Sequence, residues 1–131
     1  AESVPLWAAI RDAQPLGAAA DEAIWRVSVR PSAGPMVAAT AREMGGRALL
    51  DWGGGLVWIA GPAMEAAHAA VVAAATAARG TFTLFRAPEP LRAAVSVLPE
   101  EAPPLAAIAR RVKAALDPAG VLNPGRMRAG F

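Results

Sequence analysis

The chain contains no cysteine and no tyrosine, and it has one histidine, His68. Without cysteine there are no disulfides, no thiolate nucleophile and no cysteine-ligated metal. One histidine excludes a histidine-rich metal site within this chain, so no metal site is expected. Nor does any apolar run reach the roughly 18 residues of a membrane span. The most apolar stretch, residues 66–78, is mostly alanine and is interrupted by His68 and Thr76. No secretory signal pattern is present. The absence of cysteine fits a cytoplasmic protein.

Lysine is nearly absent too. Lys113 stands against twelve arginines, and the net charge is only +2. The isoelectric point near 10.4 therefore reflects how little titrates between the carboxylates and arginine, not a large basic surplus. The charge is uneven. Glu2, Asp12, Asp21 and Glu22 outnumber Arg11 at the start, while Arg110, Arg111, Lys113, Arg126 and Arg128 outnumber Asp117 at the end.

What is present is enough for a core. The chain has 131 residues and is 55% hydrophobic, which fits one folded domain rather than a disordered segment. Residues 5–12 read as a short helix and 14–22 as a loop. Residues 23–30, AIWRVSVR, alternate: Trp25, Val27 and Val29 on one face, Arg26, Ser28 and Arg30 on the other. Pro35 opens a helix on which Met36, Thr40 and Met44 repeat, and Gly45–Gly46 stop it. Two strand-like runs, 47–52 and 56–60, flank a triple glycine and predict a hairpin. Pro62 opens a second helix to about residue 79. Residues 81–86, TFTLFR, predict a fourth strand, ended by the proline-containing 87–90.

Residues 23–86 thus read β-α-β-β-α-β. The expected fold is α+β: a ferredoxin-like antiparallel sheet with both helices on one face, plus a C-terminal helix and tail. The expected division is an entry segment at 1–22, the ferredoxin-like unit at 23–98 and the helix and tail at 99–131. A short extra strand is expected at 95–98. Pro103 or Pro104 opens the last helix, with Leu105, Ile108, Val112 and Leu116 as a core-facing stripe. Asp117 before Pro118 ends it.

The sheet face without helices is expected to carry Arg26, Ser28 and Arg30, with Arg47 and Asp51 from strand 2 and Arg86 beside Phe82 and Leu84. Trp52 and Trp58 depend on one residue of register. Several arginines beside aromatics suit an anion, and a solvated outer face is the simpler reading. No nucleophile–base constellation is found, since His68 is the only imidazole available to Ser3, Ser28, Ser32 or Ser96. It reads as a packed or rim histidine. The triple glycine is followed by a strand, not by GK[ST] and a helix, so it is neither a P-loop nor a dinucleotide fingerprint. RNA binding is not expected, because strand 3 reads LVWIA, with Trp58 alone and without the basic–Gly–aromatic pattern of that module.

The stretch at 116–127, LDPAGVLNPGRM, remains. Pro118, Gly120, Pro124 and Gly125 surround Val121–Leu122, which is too organised for a frayed end. With Lys113 it resembles the K-x-x-[LF]-D-P-x-G-[IV]-[LF]-N-P-G-[KR] ending of FAD-linked oxidases of the vanillyl-alcohol oxidase superfamily. Lys113, Asp117, Pro118, Gly120, Asn123, Pro124, Gly125 and Arg126 all match. LWAAIRD, IWRVSV, LLDWGGGLVWI and TLFR are similar to the E-type, FAD-binding subunits of bacterial glycolate oxidase.

That resemblance implies the C-terminal cap domain of an FAD-dependent 2-hydroxy-acid oxidoreductase of glycolate oxidase type. FAD would be held mainly by an N-terminal domain absent from this chain, and the isolated piece would be inactive. The resemblance also implies partners: that FAD domain and other subunits, including an iron–sulfur subunit, with peripheral inner-membrane association through them. The alternative is a non-catalytic assembly domain. Arg26 and Arg86 are the candidate ligands of a substrate carboxylate, because arginine binds carboxylates bidentately. Asn123 and Arg126 are the candidate cofactor contacts. The metal site of the related D-type subunits has no counterpart here.

Overall fold

The computed structural model describes residues 3–125. The chain forms two compact units, one ending at Val95 and the other beginning at Ser96.

The first unit opens with helix α1, Ser3–Arg11, and a 3₁₀ turn, Gln14–Leu16. Then follow β1 (Glu22–Ser28), α2 (Gly34–Glu43), β2 (Arg47–Asp51), β3 (Leu56–Pro62), α3 (Glu65–Ala77) and β4 (Thr81–Arg86). The sheet order is β2-β3-β1-β4, and every neighbouring pair is antiparallel. This is the expected α+β arrangement with ferredoxin-like order. Helices α2 and α3 pack on one face. The alternation of β1 decides which face. Ala23, Trp25 and Val27 are fully buried against them, with Val57, Ile59, Phe82 and Leu84 from the neighbouring strands. Full burial of side chains this large contributes roughly 1.5–3 kcal/mol each, so a one-residue slip of β1 would be prohibitive.

His68 lies inside that layer. Trp25 Nε1 donates to His68 Nδ1 at 3.1 Å, and the imidazole meets Phe82 edge-on at 5.6 Å. A buried indole N–H needs an acceptor, and the histidine supplies it. Burial lowers the imidazole pKa. The histidine is therefore a packed, neutral core group.

Between β2 and β3 the chain turns through Trp52–Gly54. Trp52 itself has φ 52°, a left-handed backbone that bulky residues avoid. Asp51 steadies it by accepting the Trp52 N–H at 2.7 Å. Gly54 is required by contact: a Cβ there would lie 2.7 Å from the Pro31 carbonyl oxygen.

Three expectations for the sheet and its connections need correction. Residues 95–98 form no strand. A short helix, α4 (Glu89–Ala94), precedes them and buries Leu91. Phe82 and Leu84 belong to the helix-covered face, not beside Arg86. The register shifts between Ile24 and Trp25, leaving Phe85 as the extra residue and returning Arg86 to the uncovered face. The second helix begins at Glu65, because Pro62 still closes β3.

The second unit is helix α5, Pro103–Leu116, and the tail that follows it. Within this unit its stripe is not covered. Leu105, Ile108, Val112 and Leu116 are 58%, 55%, 51% and 76% exposed. No helix among the described residues is long and apolar enough to cross a membrane.

Candidate functional site

The uncovered face of the sheet resolves into cross-strand rows. The pairing registers place Arg47, Ala60, Ile24 and Arg86 in one row, running from edge strand β2 to edge strand β4. The next row is Leu49, Trp58, Arg26 and Thr83. Beyond it lie Asp51, Leu56, Ser28 and Thr81.

The first row is closed over by the chain itself. Arg47 Nε donates to the Leu16 carbonyl at 2.9 Å and Nη2 to that of Gly17 at 3.0 Å. From the opposite edge, Arg86 Nη2 donates to the carbonyls of Ala18 at 3.3 Å and Ala19 at 2.5 Å. Glu22 completes the clasp, bridging to Arg47 at 2.6 Å and accepting the Ala19 N–H at 2.8 Å. Arg47 first, and then that N–H, hold the Glu22 carboxyl below its ordinary pKa. The 16–19 loop is thus a strap anchored to both edges. Under it Leu16 is buried and Ala60 is fully enclosed.

The second row is left open. Arg26 has no acidic partner among the described residues. Its guanidinium lies instead 5.7 Å from the Trp52 ring and 5.9 Å from that of Trp58. Phe85 meets Trp58 edge-on at 5.2 Å. Trp52 and Phe85 remain 65% and 59% exposed. An exposed cluster of large rings around an unpaired cation is not ordinary solvated surface. The structure therefore separates the two arginines singled out from the sequence. They share a face, but Arg86 grips the strap and Arg26 stands in the open row. Sequence reading put aromatics beside the arginines but left Trp52 and Trp58 open, and it did not single out Phe85. Trp52 sits in a turn, outside strand alternation, and Phe85 is carried by a bulge.

In the second unit the tail folds onto the end of α5. The Asp117 carboxylate receives the Lys113 ammonium, the Leu122 N–H at 2.9 Å and the Val121 N–H at 3.0 Å. Lys113 Nζ also donates to the Leu122 carbonyl at 2.8 Å. Lys113 chiefly, with the Leu122 and Val121 N–H groups, draws the Asp117 pKa down to about 2 against desolvation. Gly120, Asn123 and Gly125 take left-handed backbone at φ 64°, 48° and 69°. Asparagine tolerates that conformation better than other side-chain-bearing residues. The spaced lysine, aspartate, glycines and asparagine of the tail are thus one local clamp with Asn123 exposed at its end. The i, i+4 lysine–aspartate pair at a helix end was the available signal for it. Arg126 lies outside the described residues.

The sequence has counterparts in known proteins. Residues 92–127 match the family model of the FAD linked oxidases, C-terminal domain. The chain is also similar to glycolate oxidase subunit GlcE of Escherichia coli (strain K12), 36% identical over 106 residues covering 81% of this chain. This is an FAD-linked oxidase C-terminal domain. It spans 26% of the length of the curated relative it matches. No solved structure matches it significantly.

The family's cofactor is FAD. The described residues of the domain do not form a cradle for its phosphates. The triple glycine leads into β3 rather than into a helix N-terminus, and its middle residue, Gly54, is packed against Pro31. Nor do the described residues contain a group of three His, Cys, Asp or Glu side chains able to hold a metal.

Proposed function

We propose that this domain is the cap of an FAD-dependent 2-hydroxy-acid oxidoreductase of glycolate oxidase type. FAD is then held mainly by an N-terminal domain outside this chain, and the open row of the sheet forms the substrate side. The carrying observation is Arg26, a guanidinium without an acidic partner among the described residues and held over two indole rings on the uncovered face. A guanidinium in that setting binds a carboxylate bidentately, fixes its orientation and keeps water from its apolar side. Arg86, the other candidate, acts on the substrate through the strap that bounds the row. Asn123, exposed at the end of the clamp, is proposed to contact the flavin side, with Arg126 following it. Catalysis proper belongs to the whole protein, so the isolated domain is inactive.

A second reading is favoured by one observation. The exposed stripe of α5, with Val121 and Leu122 71% and 58% exposed in the tail, suits assembly with another subunit. In this reading an iron–sulfur subunit is the partner class, and the complex is cytoplasmic or peripheral to the inner membrane.

The test uses the full reading frame co-expressed with its genomic neighbours. Its visible absorbance is recorded before and after anaerobic glycolate. A flavin band that bleaches supports the cap reading. A flavin band that persists with every 2-hydroxy acid leaves the assembly reading.

A further inference from the structure

The open row holds more than a carboxylate requires. A guanidinium suffices for the anion; two indoles and a phenyl ring are extra. Trp52 is presented at a cost, since its φ of 52° lies where bulky residues rarely go. A capping carboxylate from Asp51 and two left-handed glycines, Gly53 and Gly54, hold that turn. A glycine at position 52 would remove the strain. The indole therefore does something that a turn alone does not need. Phe85 repeats the pattern, because the register shift in β4 delivers a ring to the uncovered side beside Trp58 at 5.2 Å. Leu49 extends the apolar floor as the cross-strand neighbour of Trp58. The result is one cation framed by exposed rings, with Trp52 and Phe85 65% and 59% accessible.

Glycolate carries no side chain and has nothing to lay on those rings. An aromatic 2-hydroxy acid fills both requirements, its carboxylate on Arg26 and its ring stacked on Trp52. We infer that the row selects 2-hydroxy acids bearing an aromatic side chain over glycolate, with Trp52 as the specificity-determining residue. This rests on the reading of Arg26 as the carboxylate ligand.

The experiment uses the full-length, FAD-containing protein. Acetate and phenylacetate, carboxylates without a 2-hydroxyl, are titrated calorimetrically as non-reacting probes. Wild type is expected to bind phenylacetate about tenfold more tightly than acetate, the scale of one good ring contact. Trp52→Ala should bring the ratio toward one, and Trp52→Phe should restore most of it, which separates a ring contact from damage to the turn. Equal binding of the two probes by wild type, or an unchanged ratio in Trp52→Ala, overturns the aromatic preference while leaving Arg26 as the carboxylate ligand. If neither probe binds and Arg26→Ala leaves the reaction with 2-hydroxy acids unchanged, the carboxylate site and this inference fall together.

Discussion

Arg47 and Arg86 stand at opposite ends of one cross-strand row and grip the same loop. Arg47 holds the carbonyls of Leu16 and Gly17, and Arg86 those of Ala18 and Ala19. Their charge reads as ligand-binding in the sequence, yet the geometry makes them fasteners that define where the open row begins.

Arg86→Ala should therefore loosen the strap without unfolding the sheet. Limited proteolysis is expected to cut faster at 16–19, with far-ultraviolet circular dichroism unchanged. Because Glu22 bridges to Arg47 and also holds Ala19, Arg47→Ala should have the same effect. Cleavage rates equal to wild type in both variants would mean that the strap is held by something else.

Gly34 is the tightest backbone approach in the sheet-to-helix corner. A Cβ there would lie 2.2 Å from the Gly54 carbonyl oxygen and 2.9 Å from Leu50 Cδ2. Gly34→Ala should cost about 1–3 kcal/mol in chemical denaturation, the usual range for overpacking. A stability equal to wild type would show that the 52–54 turn yields freely.

The Trp25–His68 pair predicts a pH dependence. Burial lowers the histidine pKa from 6.5, so the folded state favours the neutral ring. The unfolded state then binds more protons, and stability falls as pH drops below 6.5 toward the lower folded value. Protonation also turns Nδ1 into a donor facing the Trp25 N–H. Denaturation midpoints should decline over this range in wild type and hold level in His68→Gln. Separately, Trp25→Phe leaves Nδ1 without its donor and should cost about 1–3 kcal/mol from the unsatisfied group alone.

Much of this was legible in the sequence, and the failures have physical causes. The alternation of β1 is clear because one face is fully buried, so Trp25 and Val27 announce themselves. The α-β order follows from proline and glycine punctuation. Arg26 was placed correctly on the uncovered face by the same alternation. The positions left open or missed are those where periodicity breaks: Trp52, whose face was undecided, in a strained turn, Phe85 at a bulge, and residues 95–98, which form no strand. The α5 stripe reads as core-facing because period says which residues share a face, while what covers that face lies outside its own unit.

The tail clamp should open in acid. Lys113, Leu122 and Val121 draw the Asp117 pKa from 3.8 to about 2, so its contribution is complete above 3.8 and is lost as pH falls toward 2. Protection of the Val121 and Leu122 amides against hydrogen exchange, taken relative to the intrinsic rate at each pH, should fall over that interval. Asp117→Asn should bring the same loss of protection at neutral pH. Protection insensitive to both changes would contradict the clamp.

The most direct test of the central claim is the anaerobic reduction of flavin by 2-hydroxy acids in the full-length protein, comparing wild type with Arg26→Ala at equal flavin content and equal thermal stability. If Arg26 binds the substrate carboxylate, the variant should need about 10- to 100-fold more substrate for half-maximal reduction, the scale of one charged hydrogen-bonding contact. An unchanged concentration dependence would contradict the account and leave the open row as a surface for assembly.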